Sequence, residues 1–367
     1  MTSRTSKRAV LVEAKKPIEV WDRPIRSPDP GEAVVKVELA GVCGTDVHLW
    51  RGEAPLPCPV VLGHEGVATI DELGEGITTD YAGTPVKRGD RVYWVPLNAC
   101  RRCYACTVEK EPTHCANALG ALFRDASEPP SACYAELAWL PDGMAFYRIP
   151  DDTPSEAVIA FGCAMPTMLK GLERLGGIGM NQTVIVQGCG PVGLAATLLA
   201  RAAGAGELIV LGAPKQRLAM AKRLGATATI DLDEVKTPAD RVRLVRELTG
   251  GRGADVVIEA AGAVAAFGEG LELAAMGGRY LIVGLWSAPG AVPVEPRYLN
   301  NNNLHIIGTA LFEPRHVYGA VQVARRYHHR LPMAEAVTHR FALADSQKAL
   351  ETVAALESVK AVVLPAA

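Results

Sequence analysis

Aromatic residues are scarce in this chain, at 5% of its 367 positions. That leaves few rings for the stacking platforms that hold single-stranded nucleic acid. Net charge is nearly absent as well. Lys and Arg total 38 against 40 Asp and Glu, a formal −2. This excludes a basic nucleic-acid footprint and an acidic disordered tail. No apolar run approaches the roughly 18 residues of a membrane-spanning helix, and Met1–Val10 lacks the apolar stretch of a secretory signal. Internal repeats and low-complexity tracts are missing too. The expectation is a globular, cytoplasmic protein with no nucleic-acid or membrane partner. Its length corresponds to about two domains, enough to bury a large core without disulfides.

Glycine and cysteine are placed less evenly. There are 36 Gly, many in short fixed patterns, and nine Cys, four of them between Cys100 and Cys115. An odd, clustered set of thiols fits metal ligation in a reducing compartment better than a disulfide framework.

The first part of the chain reads as β-rich. Ala33–Ala40 alternates, with Val35, Val37 and Leu39 on one face and Lys36 and Glu38 on the other. Further strand-like runs lie near Val67–Ile70, Arg91–Val95 and Tyr134–Leu140, separated by Gly/Pro-rich turns. The pattern changes near residue 160. Thr183–Gln187, Leu208–Leu211, Asp255–Ile258, Tyr280–Val283 and His305–Ile307 read as strands, with helices such as Leu194–Ala203 and Lys215–Leu224 between them. This alternation predicts βαβ units and a parallel sheet. Asn300–Asn303 reads as a loop. Beyond Ala310 the order is helix (Pro314–Tyr327), strand (Val337–Phe341), helix (Asp345–Leu356), strand (Ala361–Leu364).

Gly188-Cys189-Gly190-Pro191-Val192-Gly193 has GxGxxG spacing, follows a strand and opens a helix. The first Gly permits a tight turn, the second a close approach to a pyrophosphate, the third close helix–strand packing. The helix N-terminus offers free N–H groups to phosphate. An acidic residue that binds the ribose of NAD is expected at the end of the next strand. Here that position is Gly212, which leaves space, and Lys215 and Arg217 follow it. The turn favours NADP, with a solvated helix face as the alternative reading of the two cations.

Cys100-x2-Cys103-x2-Cys106-x8-Cys115 suits a closed tetrahedral zinc site, which is structural because it has no open position. An iron–sulfur cluster is the rival ligand set. Arg101, Arg102 and Lys110 are placed to offset thiolate charge. A second set is dispersed: Cys43, Thr45, Asp46 and His48 in one loop, Gly63-His64-Glu65 further on, and Cys163 near the change of pattern. Cys58, Cys133 and Cys189 have no partners at ligand spacing.

Taken in order, Cys-Gly-Thr-Asp-x-His, Gly-His-Glu, a four-Cys lobe, a single Cys and the glycine fingerprint resemble the zinc-dependent alcohol dehydrogenases of the medium-chain dehydrogenase/reductase family. The resemblance runs over essentially the whole chain. It implies an α/β architecture: a GroES-like β-rich catalytic domain over residues 1–163, with a structural zinc lobe at about 98–118. A Rossmann doubly wound parallel sheet follows over 164–310, and residues 311–367 return to the catalytic domain. It implies two Zn²⁺ per chain. Cys43, His64 and Cys163 hold the catalytic ion; Cys100, Cys103, Cys106 and Cys115 hold the structural one. Thr45 bonds the substrate oxygen, His48 ends a proton relay, Asp46 orients His64, and Glu65 can approach the metal. Gly188, Gly190, Pro191, Val192, Gly193, Gly212, Lys215 and Arg217 form the dinucleotide site. Lys360 lies near the pyrophosphate, a role enlarged because Gly44 stands where some members carry a basic residue. The implied activity is hydride transfer between a primary, secondary or cyclic alcohol and NAD(P), in a homodimer or homotetramer. Rival readings are a polyol or sugar-alcohol dehydrogenase, against which Cys163 argues, a non-catalytic zinc- and nucleotide-binding protein, and a zinc hydrolase.

Overall fold

The computed structural model describes residues 4–285 and 290–366. The chain divides into two compact units: residues 1–163 with 313–367, and residues 164–312.

The first unit opens on a hairpin, β1 (Thr5–Leu11) and β2 (Ile18–Pro24), paired antiparallel. The sequence reading passes over it because Lys7 and Arg8 break the apolar pattern. Arg8 is nonetheless fully buried, with its guanidinium donating to the Ala126 and Glu128 carbonyls. There follow β3 (Ala33–Val42), α1 (Gly44–Trp50), β4 (Val60–Val61), β5 (Gly66–Leu73), β6 (Arg91–Trp94), α2 (Tyr104–Thr107), β7 (Leu137–Leu140), β8 (Phe146–Arg148) and α3 (Ser155–Ile159).

The second unit contains α4 (Ala164–Leu175), β9 (Val184–Gln187), α5 (Pro191–Ala202), β10 (Leu208–Gly212), α6 (Lys215–Arg223), β11 (Ala228–Asp231), α7 (Pro238–Leu248), β12 (Ala254–Glu259), α8 (Val264–Leu273), β13 (Ala274–Ile282), α9 (Pro296–Asn301) and β14 (His305–Gly308). Its six strands are all parallel in the order β11-β10-β9-β12-β13-β14. Val184, Ile185 and Val186 are completely buried, as the central strand of a doubly wound sheet must be. Of the expected loop Asn300–Asn303, Asn300 and Asn301 instead end α9, and Asn302 and Asn303 form the turn after it. Pro296 starts that helix, and Tyr298 and Leu299 pack on the core beneath the sheet.

The chain then returns to the first unit with α10 (Pro314–Tyr327), β15 (Val337–Ala342), α11 (Ser346–Ala354) and β16 (Lys360–Leu364). The main sheet of that unit runs β15-β16-β3-β5-β6-β8, with β7 also on β3. Thus β16, from the end of the sequence, lies against the start: Ala361 pairs with Val42 and Val362 with Gly41. The alternation read in β3 holds, with Val35 and Val37 buried and Lys36 exposed.

Candidate metal centres and dinucleotide loop

Three loops of the first unit converge on one point. Cys43 precedes the first turn of α1, His64 and Glu65 precede β5, and Cys163 follows α3. One donor atom from each of Cys43, His64, Glu65 and Cys163 lies within 4.8 Å of the others. The two thiols are 3.7 Å apart. Asp46 is fully buried beneath them. Its carboxylate accepts from the Cys43 N–H at 2.9 Å, the Gly63 N–H at 3.2 Å and the Tyr134 hydroxyl at 3.4 Å, and faces His64 Nδ1 at 3.2 Å. The other ring nitrogen of His64 therefore remains for Cys43 and for a metal.

Glu65 is 1% exposed. One of its oxygens accepts from the Cys163 N–H at 2.8 Å, and the other is ion-paired with Lys360. Gly41 and Gly162 make the room: a Cβ at either would overlap the Glu65 carboxylate. Burial opposes ionisation of Glu65, but the Lys360 ammonium and the His64 ring together hold its pKa below the ordinary value. Sharing of the proton between the thiols lowers Cys43 to about 5 and pushes Cys163 well up. His64 is raised well above its usual value, against desolvation, by Asp46 and Cys43. Without metal, then, the pocket stores protons that a cation must displace.

Lys360 differs from its expected role beside a pyrophosphate. Its side chain is 1% exposed, and its ammonium is spent on Glu65 and on the Val42 carbonyl at 3.2 Å. A cation buried and paired in this way is withdrawn from solvent and from a solvated anion. Thr45 lies in the first turn of α1. His48, one turn on, contacts Glu53 through Nδ1; sequence reasoning missed Glu53, which sits in an ordinary-looking loop. Trp50 donates to the Lys16 carbonyl at 3.2 Å. Tyr93 was also missed. It is fully buried on β6, its hydroxyl has no partner among the described residues, and burial, with Glu65 and Cys163 near it, drives its pKa well up.

The four thiols Cys100, Cys103, Cys106 and Cys115 bring their sulfur atoms within 4.8 Å of one another around α2. Main-chain N–H groups, rather than cationic side chains, temper their charge. The Arg102 and Cys103 amides help lower Cys100 to about 6, while desolvation pushes Cys106 up to about 12 against the Arg101 amide. The expected counter-charge from the Arg101 side chain is absent, because its guanidinium bonds the Gly143 carbonyl and covers the Tyr81 ring at 5.2 Å.

In the second unit Gly188 turns at φ +104° after β9, and Gly190 is the N-cap of α5, with Pro191 at the first helical position. A Cβ on Gly193 would overlap the Gly188 carbonyl. The loop thus has the backbone shape of a phosphate cradle. Gly212 does not leave open space as expected. A Cβ there would stand 2.5 Å from Cys189 Sγ, so the thiol fills the place. Lys215 is exposed and paired with Glu234 at 2.7 Å. Arg217 is buried, and its guanidinium lies 4.0 Å from where a Cβ on Gly190 would stand. The structure therefore separates the two cations: only Arg217 reaches the glycine loop.

Two families account for this arrangement. Residues 29–151 match the alcohol dehydrogenase GroES-like domain, and residues 191–326 match the zinc-binding dehydrogenase family. The chain belongs to the zinc-dependent alcohol dehydrogenases of the medium-chain dehydrogenase/reductase family. It is an oxidoreductase that moves hydride between an alcohol and NAD(P). It is 49% identical to the 5-exo-hydroxycamphor dehydrogenase of Pseudomonas putida over 97% of both chains. With the L-threonine 3-dehydrogenase of Bacillus subtilis it shares 30% over 93% of both. An alcohol dehydrogenase structure from Thermotoga maritima superposes with a TM-score of 0.91 at 30% identity, covering 99% of this chain and 100% of that one. A putative zinc-binding dehydrogenase from Sinorhizobium meliloti bound to NADP gives 0.84 at 28%, over 99% and 100%. The family implies zinc, and both donor sets fit it: two thiols and an imidazole with a carboxylate near, and four thiols alone.

Metal analysis of Cys43→Ser should give one zinc per chain where the parent holds two, with activity lost; a variant with both zincs and full turnover would sink the ligand assignment. Asp46→Asn should weaken zinc retention roughly 10–100-fold without abolishing it. The pair Glu65–Lys360 gives a pH signature. In the parent, the lowered Glu65 pKa means its contribution to stability is present at neutral pH and lost as pH falls through the folded value. In Lys360→Met only the His64 ring and the Cys163 N–H are left to offset burial, so the Glu65 pKa rises and that contribution shrinks. The stability deficit of Lys360→Met in urea, about 3–5 kcal/mol at neutral pH, should shrink on acidification. A deficit independent of pH would count against the pair.

Proposed function

We propose that this enzyme oxidises an alicyclic secondary alcohol to its ketone, and reduces the ketone, with NADP favoured over NAD. The observation that carries the substrate class is the 49% identity, over 97% of both chains, to a relative whose name describes a hydroxycamphor. The cofactor preference rests on Gly212, which offers no carboxylate to repel a 2′-phosphate, and on Arg217 beside the glycine loop. A polyol substrate is the second reading, because D-xylulose reductases of Aspergillus fumigatus are 31% identical over 80% of this chain. The thiol of Cys163 argues for the first.

Cys43, His64 and Cys163 would hold zinc, which would supply Lewis-acid polarisation of the substrate oxygen, and a bound nicotinamide dinucleotide would supply the hydride chemistry. Two thiolates and a neutral imidazole give that site no net charge. Asp46 fixes the His64 tautomer through Nδ1. The Thr45 hydroxyl takes a hydrogen bond from the substrate hydroxyl, and His48 carries the proton on, its ring steadied by Glu53. Lys360 neutralises Glu65, so that a carboxylate stands next to the metal without charging the pocket. The first unit is the catalytic domain, with its structural lobe at about 98–118. The second binds the dinucleotide through Gly188, Gly190, Pro191, Val192 and Gly193. Thiol ligands must stay reduced, which favours a cytoplasmic site of action.

The enzyme is a homo-oligomer, a dimer or tetramer. Among the described residues its β14 pairs with β13 alone, and Ile306 is 38% exposed along it. Such an edge suits pairing with a second copy across a two-fold axis. Light scattering should give a mass of two or four chains, shifted toward one by Ile306→Lys. An unshifted mass would move the interface elsewhere.

An initial-rate panel of hydroxycamphor, cyclohexanol, ethanol and sorbitol, run with NADP and NAD in parallel, tests the rest. The bicyclic alcohol with NADP should give the highest kcat/KM. Arg217→Ala should cost roughly tenfold with NADP and leave NAD unchanged. Preference for sorbitol would overturn the substrate class, and turnover with NAD alone the cofactor reading.

A further inference from the structure

Glu259 is the last residue of β12, at the carboxyl edge of the parallel sheet. From β9, strands β10 and β11 build outward on one side, and β12, β13 and β14 on the other. Strand order therefore reverses between β9 and β12, where a dinucleotide straddles such a sheet with one mononucleotide on each half. Glu259 pairs in register with Gln187, and Gly188 follows at once.

This carboxylate is 0% exposed, and no ion pair reaches it among the described residues. It is satisfied by main-chain N–H groups. One oxygen accepts from Ala261 at 2.9 Å and Gly262 at 2.7 Å; the other accepts from Gly284 at 2.9 Å. Its own carbonyl accepts from Val283 at 3.0 Å and Gly284 at 3.2 Å. One side chain thus ties together the turns that follow β12 and β13. Glycines keep the junction tight. A Cβ on Gly284 would stand 2.6 Å from the Gly262 nitrogen, and one on Gly188 would stand 2.6 Å from the Ala260 carbonyl oxygen. A buried carboxylate is a poor device for stability alone, since apolar residues of equal volume do as well or better. What it does uniquely is hold three N–H groups of two loops at fixed positions.

We propose that Glu259 is a positioning residue for the nicotinamide half of the dinucleotide. It sets the two turns on the β12–β13 side, while the adenosine half depends on β9, β10 and the glycine loop. This rests on the dinucleotide-binding reading of the second unit. Glu259→Gln keeps the shape but swaps one acceptor oxygen for an NH2 donor. That donor meets an N–H it should have accepted, so one turn loses its anchor.

The test is calorimetric and fluorescence titration of the zinc-loaded full chain with NADPH, NADH and ADP, the last carrying only the adenosine half. In Glu259→Gln the Kd for NADPH and NADH should rise about tenfold, with ADP within about twofold of the parent. KM for the dinucleotide should rise while KM for the alcohol stays put. Glu259→Asp, which keeps the charge but is one methylene shorter, should show the same pattern at smaller amplitude, and serves if the Gln variant does not fold. Equal weakening of ADP and NADPH would mark a general loss of structure and overturn the proposal, as would unchanged binding of both. A parent that binds neither ADP nor NAD(P)H would overturn the dinucleotide reading itself.

Discussion

A charge removed from water must find its counter-charge inside the protein. Glu65 finds it in Lys360, 295 residues later. That requirement organises the first unit. The carboxylate also caps the Cys163 amide, so it binds the loop before β5, the end of α3 and strand β16 to one point. Gly41 on β3 and Gly162 before Cys163 lack side chains because the carboxylate occupies their space. The segment 164–312 lies between these partners in sequence and folds as its own unit. An insertion of that kind is tolerated when the flanking chain has a strong reason to come back, and the ion pair is one.

The two thiol centres show opposite solutions to the same electrostatic problem. The pocket of Cys43 and Cys163 manages charge with side chains: Asp46 behind His64, Lys360 beside Glu65. The lobe of Cys100 to Cys115 manages it with peptide N–H groups of its own tight turns. The first leaves a varied donor set, suited to an exchangeable position. The second wraps four equal donors in backbone, suited to closure.

Much of this was legible in the sequence, for physical reasons that differ by element. The glycine loop could be read because its backbone tolerates no side chain at Gly193. The buried strands β9, β10 and β12 could be read because burial on both faces demands unbroken apolar runs. The clustering of Cys100, Cys103, Cys106 and Cys115 could be read from spacing, whereas Cys43, His64 and Cys163 were drawn together only by the resemblance to a family. What escaped depends on contacts made at long range. The β1–β2 hairpin hides behind Arg8, whose burial is possible only because distant carbonyls receive it. Lys360 looks like any surface lysine until β16 is placed against β3. The space at Gly212 is taken by Cys189, a neighbour in the fold but 23 positions away in sequence. Glu259 ends an apolar strand and gives no hint in the sequence that its partners are three main-chain amides.

The position of Lys360 also has a bearing on the order of events as the chain is made. Domains of a growing polypeptide fold as units, earlier segments first. The unit of residues 164–312 is contiguous and can complete its sheet from local βαβ pieces. The earlier residues 1–163 cannot do the same. The pocket of Cys43, His64 and Cys163 holds a carboxylate whose partner has yet to be synthesised, and β3 lacks its neighbour β16 until then. The part of the protein translated first is therefore the part finished last. During that interval Glu65 and the thiols near it remain open to water, and to whatever cations and oxidants the compartment offers.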